Sequence, residues 1–241
     1  MWLAVNRTFV TLFEDRTPLE RRGIIDVVPT LTRREQQQQA LRRDVLDAAL
    51  VQLDEGGPSS VNWRALARAV GVSPSTLYTY FDSLDALYTE LILEIYGQMA
   101  TEVRRTIAAE APPAARAREA MVGYRRFAKQ YPARFTLVFT DALPGYAAPA
   151  GGPTIDAQVA VMTPMIEALA ELLGEENGDI ETWSAPMRSR AVGAWSQLHG
   201  FVSLEVNHHL VWIDDLDAMY ASMIDGMLAG ISRREPAGQA D

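Results

Sequence analysis

The sequence contains no cysteine. That excludes disulfide frameworks, thiolate metal sites and cysteine nucleophiles. No stretch of about 18 consecutive apolar residues occurs, so no membrane span is expected. Arg7, Glu14, Asp15 and Arg16 interrupt the first thirty residues. No small-residue cleavage pattern follows them, so a secretory signal is not read there and a cytoplasmic location is expected. Neither a useful alternating strand pattern nor a repeat of 20–50 residues is visible. What is present is 241 residues with 48% hydrophobic content, enough to bury a core.

The net charge of −9 is unevenly spread. Residues 1–81 hold ten arginines against nine acids, while residues 82–241 hold 12 basic against 22 acidic residues. The near-neutral front permits phosphate contact but falls short of a broad basic footprint. A nucleic acid reader built on it relies on geometry and a few placed arginines.

Helical signals begin at Thr32. Leu46, Ala49, Leu50 and Leu53 stand at i, i+3, i+4 and i+7, and Gly56-Gly57-Pro58 ends that helix. Ser60 is a candidate cap for a second helix over 62–70, with Gly71 as its left-handed terminator. Ser73 caps a third, with Pro74 at its first position, running to about Tyr80. Ser83 caps a fourth, running to about Ala108, whose stripe is Leu84, Leu87, Tyr88, Leu91, Ile95 and Met99. Beyond Pro112-Pro113 helices are expected to about Tyr131, from Pro132 to near Pro144, and over 154–173, 186–209 and 215–232. Residues 144–153 read as a loop, and 174–185 as an acidic linker. The fold class is therefore all-α, with no strands.

The segment Leu66 to Phe81 carries the chemistry. A helix, a glycine turn and a second capped helix follow one another. Ala67 is small where the helices must cross, Gly71 supplies the turn, and Val72 and Leu77 plug the angle between them. This is a helix-turn-helix, which places a short helix in the major groove. Ser75, Thr76 and Thr79 offer hydroxyls, and Tyr78 and Tyr80 offer phenols and flat apolar faces for thymine methyls. Arg64 stands on the preceding helix, within reach of a phosphate or a guanine edge.

The run LARAVGVSPSTLYTYFDSLDAL closely resembles the DNA-binding head of the TetR family of bacterial regulators. The resemblance covers about Thr32 to Met99 and implies DNA contacts by Arg64, Pro74, Ser75, Thr76, Tyr78, Thr79 and Tyr80. One position departs: the family usually carries a lysine at the start of the fourth helix, where this chain has Leu84. A phosphate anchor is then missing, which weakens binding and flattens its salt dependence. The segment Ala194 to Glu205 resembles the Trp-His-Gly ligand-binding body of one TetR subgroup, through Trp195, His199 and Gly200.

These readings divide the chain into an arm (1–32), a helix-turn-helix domain (33–82), a ligand-binding and dimerisation body (83–232) and a tail (233–241). Trp195, Leu198, His199, Val202, Val206 and Leu210 share one helix face; Leu216, Met219, Tyr220, Met223, Met227 and Ile231 share another. Two such helices from each of two subunits would close a four-helix homodimer bundle. Tyr124, Phe127, Phe135, Phe139, Trp195 and His199 are candidate ligand-lining residues, although the same aromatics also suit a plain core. Glu205-x-x-His208 has a metal-binding spacing but no second copy, so a helix-end histidine pair is the preferred reading and no metal or cofactor is expected.

The expected function is a DNA-binding transcriptional regulator rather than an enzyme. The preferred form is a repressor that leaves a pseudo-palindromic operator when a small apolar or aromatic effector binds. A ligand-dependent activator, and a helical sequestering protein without DNA binding, remain alternatives.

Overall fold

Thr32 opens the first helix by a reciprocal capping box. Its hydroxyl accepts from the Glu35 backbone N–H, and the Glu35 carboxylate accepts from the Thr32 N–H at 2.7 Å. The computed structural model describes residues 32–139, 146, 148, 152–174 and 183–232. Almost all of the expected arm, the whole tail, and much of the 144–153 and 174–185 connections lie outside the described residues.

The helices among the described residues are α1 (Arg33–Gly56), α2 (Trp63–Ala69), α3 (Pro74–Leu77), α4 (Leu84–Thr106), α5 (Pro113–Gln130), α6 (Pro132–Phe139), α7 (Pro153–Leu173), α8 (Ala185–Val206) and α9 (Leu216–Ser232). No strand occurs among those residues. The all-α expectation holds, and the long helices start and end within a few residues of their sequence signals. α8 stops at Val206 rather than 209, because His208 adopts a left-handed φ of 59° that an α-helix does not tolerate.

One cap differs from expectation. Asn62, not Ser60, caps α2 by accepting from the Ala65 N–H. An N-cap must directly precede the first helical residue. Ser60 lies three residues before Trp63, in a 3-10 turn over Pro58–Ser60, and its hydroxyl donates to the Gln52 or Gly57 carbonyl instead.

α4 is the central element. Leu87, Leu91, Ile95 and Met99 are fully buried along its length. α5 and α7 pack against it and against each other, while α8 and α9 lie over α5. Gly123 permits the close α4–α5 approach, since a Cβ there would lie 3.0 Å from Val103 Cα.

The two apolar faces expected to meet in a dimer bundle are partly used within the protomer. Leu198 and Val202 of α8, and Tyr220, Met227 and Ile231 of α9, are buried in the chain's own core. Met219 is exposed, so the methionine stripe divides between inside and outside. A helix face broader than one neighbour can cover serves two partners.

Buried charge ties α8 and α9 to α5. The Arg125 guanidinium donates to both carboxylate oxygens of Glu205, at 2.6 and 2.7 Å, and both side chains are buried. It also pairs with Asp217 of α9 at 2.7 Å and lies over the Tyr220 ring, 4.5 Å from its centroid. Arg125→Ala leaves Glu205 buried without its main partner. We expect it to cost about 3–5 kcal/mol in urea unfolding, whereas Asp217→Asn, at an exposed carboxylate, changes the midpoint little.

Candidate functional site

The turn between α2 and α3 depends on Gly71, whose φ of 72° is the left-handed conformation that a side chain disfavours. It brings the Val72 N–H to within 2.9 Å of the Ala67 carbonyl. Ala67, Leu77 and Phe81 fill the angle beneath, all buried. Ser73 caps α3 by accepting from the Thr76 N–H, and its hydroxyl lies 2.7 Å from that of Ser75 and 2.8 Å from that of Thr76.

Opposite buried Leu77, the residues Pro74, Ser75, Tyr78 and Thr79 are exposed on α3 and its C-terminal turn, and Arg64 is exposed on α2. Thr76 and Tyr80 are half-buried. The hydroxyls expected to face outward first stabilise the helix itself, with Thr79 donating to the Thr76 carbonyl at 2.7 Å. Leu84 is half-buried against the core, so it anchors the start of α4 by packing.

A second constellation lies in the body. Tyr124 of α5, Phe135 and Phe139 of α6, and Trp195 and His199 of α8 form one ring cluster, with neighbouring centroids 4.9–6.3 Å apart. Trp195 and His199 stack one helical turn apart. The Tyr124 hydroxyl shares a 2.9 Å hydrogen bond with His199 Nδ1, and Ser203 lies 3.3 Å from Nε2. Burial holds His199 below the ordinary histidine range and pushes Tyr124 well above the ordinary phenol range. Both are neutral at pH 7, giving an apolar cluster with one internal polar chain. The expected lining residue Phe127 does not join it. Three residues beyond Tyr124 on α5, it points towards α1 and α4, packing on Tyr131 and bordering a groove with Leu46.

Glu205, the first residue of the Glu-x-x-His spacing, is taken up by Arg125, while His208 and His209 are exposed. Among the described residues no group of three His, Asp or Glu side chains is arranged to hold a metal. Nor is any described helix long and apolar enough to cross a membrane.

Two family models match this chain: "Bacterial regulatory proteins, tetR family" over residues 45–91, and "Tetracyclin repressor-like, C-terminal domain" over residues 117–227. The uncharacterized HTH-type transcriptional regulator Rv1255c of Mycobacterium tuberculosis is 30% identical over 148 residues, covering 61% of this chain and 68% of that protein. The chain belongs to the TetR family. A second uncharacterized HTH-type regulator of that organism, Rv0681, is 29% identical over 202 residues, 82% of this chain and 84% of the relative. The crystal structure of SCO4313 superposes with a TM-score of 0.68 at 27% identity, over 82% of this chain and 100% of that one. A tetR-family regulator of Streptomyces coelicolor shares the fold, with a TM-score of 0.61 at 18% identity over 80% and 82%. This TetR-family chain is thus a DNA-binding transcriptional regulator. The Trp-His-Gly subgroup remains a resemblance carried by Trp195, His199 and Gly200.

Two residues without sequence signals, Trp63 and Arg42, hold this TetR-family regulator's reading unit in place. Trp63 donates its indole N–H to the Pro74 carbonyl at 3.0 Å, and its ring packs against exposed Tyr78 at 4.7 Å. It therefore sets the tilt of α3 and the rotamer of Tyr78 together. Arg42 of α1 bonds the Tyr80 carbonyl and Glu90 of α4, and covers the Phe81 ring. Neither residue carries a periodic signal. Trp63→Leu is expected to weaken operator binding about tenfold, equivalent to ~1.4 kcal/mol, while the melting temperature changes by only a few degrees. Trp63→Phe, which keeps a ring but loses the N–H, should fall between them in fluorescence anisotropy titrations.

Proposed function

We propose that this regulator is a homodimeric, cytoplasmic repressor that leaves a pseudo-palindromic operator when a small apolar or aromatic molecule enters the ring cluster. Residues 33–82 act as the reading head and 83–232 as the sensing and dimerisation body, with 1–32 an arm and 233–241 a tail. Arg64, Pro74, Ser75, Thr76, Tyr78, Thr79 and Tyr80 form the DNA-facing set. Tyr124, Phe135, Phe139, Trp195 and His199 receive the effector, with half-buried Phe139 and Trp195 as the edge that parts.

The observation that carries this reading is the position of α6. Phe135 and Phe139 place one side of α6 in the ring cluster. Arg134, the residue before Phe135, clamps Asp54 of α1 at 2.5 and 3.0 Å and Gln98 of α4 at 2.6 Å. Tyr96 of α4 donates to the Val138 carbonyl at 3.0 Å. An effector that spreads the rings moves α6, and with it both helices that carry the reading unit. Ligand must bind the displaced arrangement more tightly than the ligand-free one, or nothing shifts.

The outer face of α8 and α9 supports a dimer. Val192, Leu204 and Met219 are exposed. A Cβ added at Gly193, Gly200, Gly226 or Gly230 would meet nothing within 4 Å. Glycine within a helix costs about 1 kcal/mol relative to alanine, and no crowding inside the protomer accounts for it. Close approach of a second copy does, and a dimer would set two reading helices at half-sites about 34–36 Å apart.

The direct test is a titration against DNA from the gene's own upstream region. Tyr78→Ala should lose operator binding while staying folded and dimeric; undiminished binding would rule out α3 as the reader. A panel of uncharged aromatic and alkyl compounds should include one that releases wild-type protein. Asp54→Ala should bind ligand-free operator within about threefold of wild type yet need roughly tenfold more of that compound for release, a shift equivalent to ~1.4 kcal/mol of lost coupling. A reporter whose output rises when the regulator is supplied would replace repression by activation.

A further inference from the structure

We propose that the cleft between α5 and α9 is a second binding site, for a small amphipathic carboxylate, separate from the ring cluster. The cleft has a volume of about 480 Å³ and is lined by Val122, Tyr220 and Ile224 on its apolar side and by Arg118, Arg125, Arg126 and Lys129 on its charged side. All four cations come from one face of α5. They stand together in a segment, residues 82–241, where acids outnumber bases 22 to 12.

The anchor is Arg125. Two of its guanidinium nitrogens are committed to buried Glu205, and the third faces the Asp217 carboxylate at 2.7 Å. Lys129 Nζ reaches the same Asp217 oxygen at 3.3 Å. Arg125 is 8% exposed, whereas the Asp217 side chain is 77% exposed. A desolvated guanidinium, with the exposed Lys129 ammonium beside it, is therefore capped by a solvent-exposed carboxylate from the first turn of α9. Charge-assisted bonds to a desolvated guanidinium are strong, while an exposed side chain that supplies one is easily exchanged for water or solute. A carboxylate from solution has the chemistry to take that seat. Unlike Asp217, an amphipathic one also covers the half-buried Val122 and Ala221 at the cleft wall with its apolar part. Arg118, paired with Asp225, and Arg126, paired with Glu102, flank the seat.

Pairing of protomers through the outer side of α9 leaves the cleft open. Met219, Gly226 and Gly230 lie on the opposite side of that helix from Asp217, Ala221 and Ile224 by the 3.6-residue period. The site shares no residue with the ring cluster, and it does not rest on the repressor reading.

The test is calorimetric titration of the full-length protein with decanoate below its micelle-forming concentration, with decanol and acetate as controls. One decanoate per protomer should bind, decanol should bind at least about tenfold more weakly, and acetate should give no heat. Asp217→Asn removes the competing carboxylate and should tighten decanoate binding severalfold. Lys129→Ala should weaken it about tenfold, and Trp195→Leu in the ring cluster should leave it unchanged. Equal binding of decanol, weaker binding in Asp217→Asn, or loss of binding in Trp195→Leu would each overturn the proposal. Both cleft substitutions are at exposed side chains, so the folded protein is available for the measurement.

Discussion

One helix, α4, runs through a single core shared by the reading unit and the body. α4 begins in the DNA-reading unit, where Leu87, Tyr88 and Leu91 are buried, α4 packs on α1, and Tyr88 donates to the Val61 carbonyl just before α2. It continues into the body, where Ile95, Met99 and Val103 meet α5 and α7. Because the buried residues form one continuous cluster, there is no plane along which the reading unit can rotate without disturbing α4. Close-packed interiors transmit displacement rather than absorb it.

Around this apolar axis, arginines are the connectors. Arg42 joins α1 to the end of α3 and to α4, Arg134 joins α6 to α1 and α4, and Arg125 joins α5 to α8 and α9. Each guanidinium uses its planar fork to hold two elements at once, which a point-charge ammonium does less well. Much of the limited positive charge of this acidic protein is thus spent internally. On α2 and α3, Arg64, Ser75, Tyr78 and Thr79 stay exposed. Leu84 packs inward against the core, so the start of α4 offers no lysine there to a phosphate.

The ring cluster and the α3 surface illustrate opposite degrees of legibility. In α3, capping serine, first-turn proline, buried Leu77 and exposed Tyr78 all follow from rules within about ten residues of chain, and the structure places them as read. The ring cluster joins residues from positions 124, 135, 139, 195 and 199. Composition suggested its members, but it also nominated Phe127, which helical rotation turns towards a different groove. The apolar faces of α8 and α9 pose a related question, since they are partly buried within the protomer and partly exposed. Periodicity reports that a face is apolar; it does not say whether the same chain or a second one covers it.

Local order was determined by the sequence itself: the helices, most of their caps, the glycine turn at Gly71 and the reading helix with its exposed and buried sides. These are set by interactions between residues a few positions apart, which a linear pattern records. Tertiary structure alone decided which distant side chains meet: Trp63 on Tyr78, Arg134 on Asp54, Arg125 between Glu205 and Asp217, and four rings around His199. Those contacts depend on the relative placement of whole helices, and that placement emerges only when a continuous core is packed to completion.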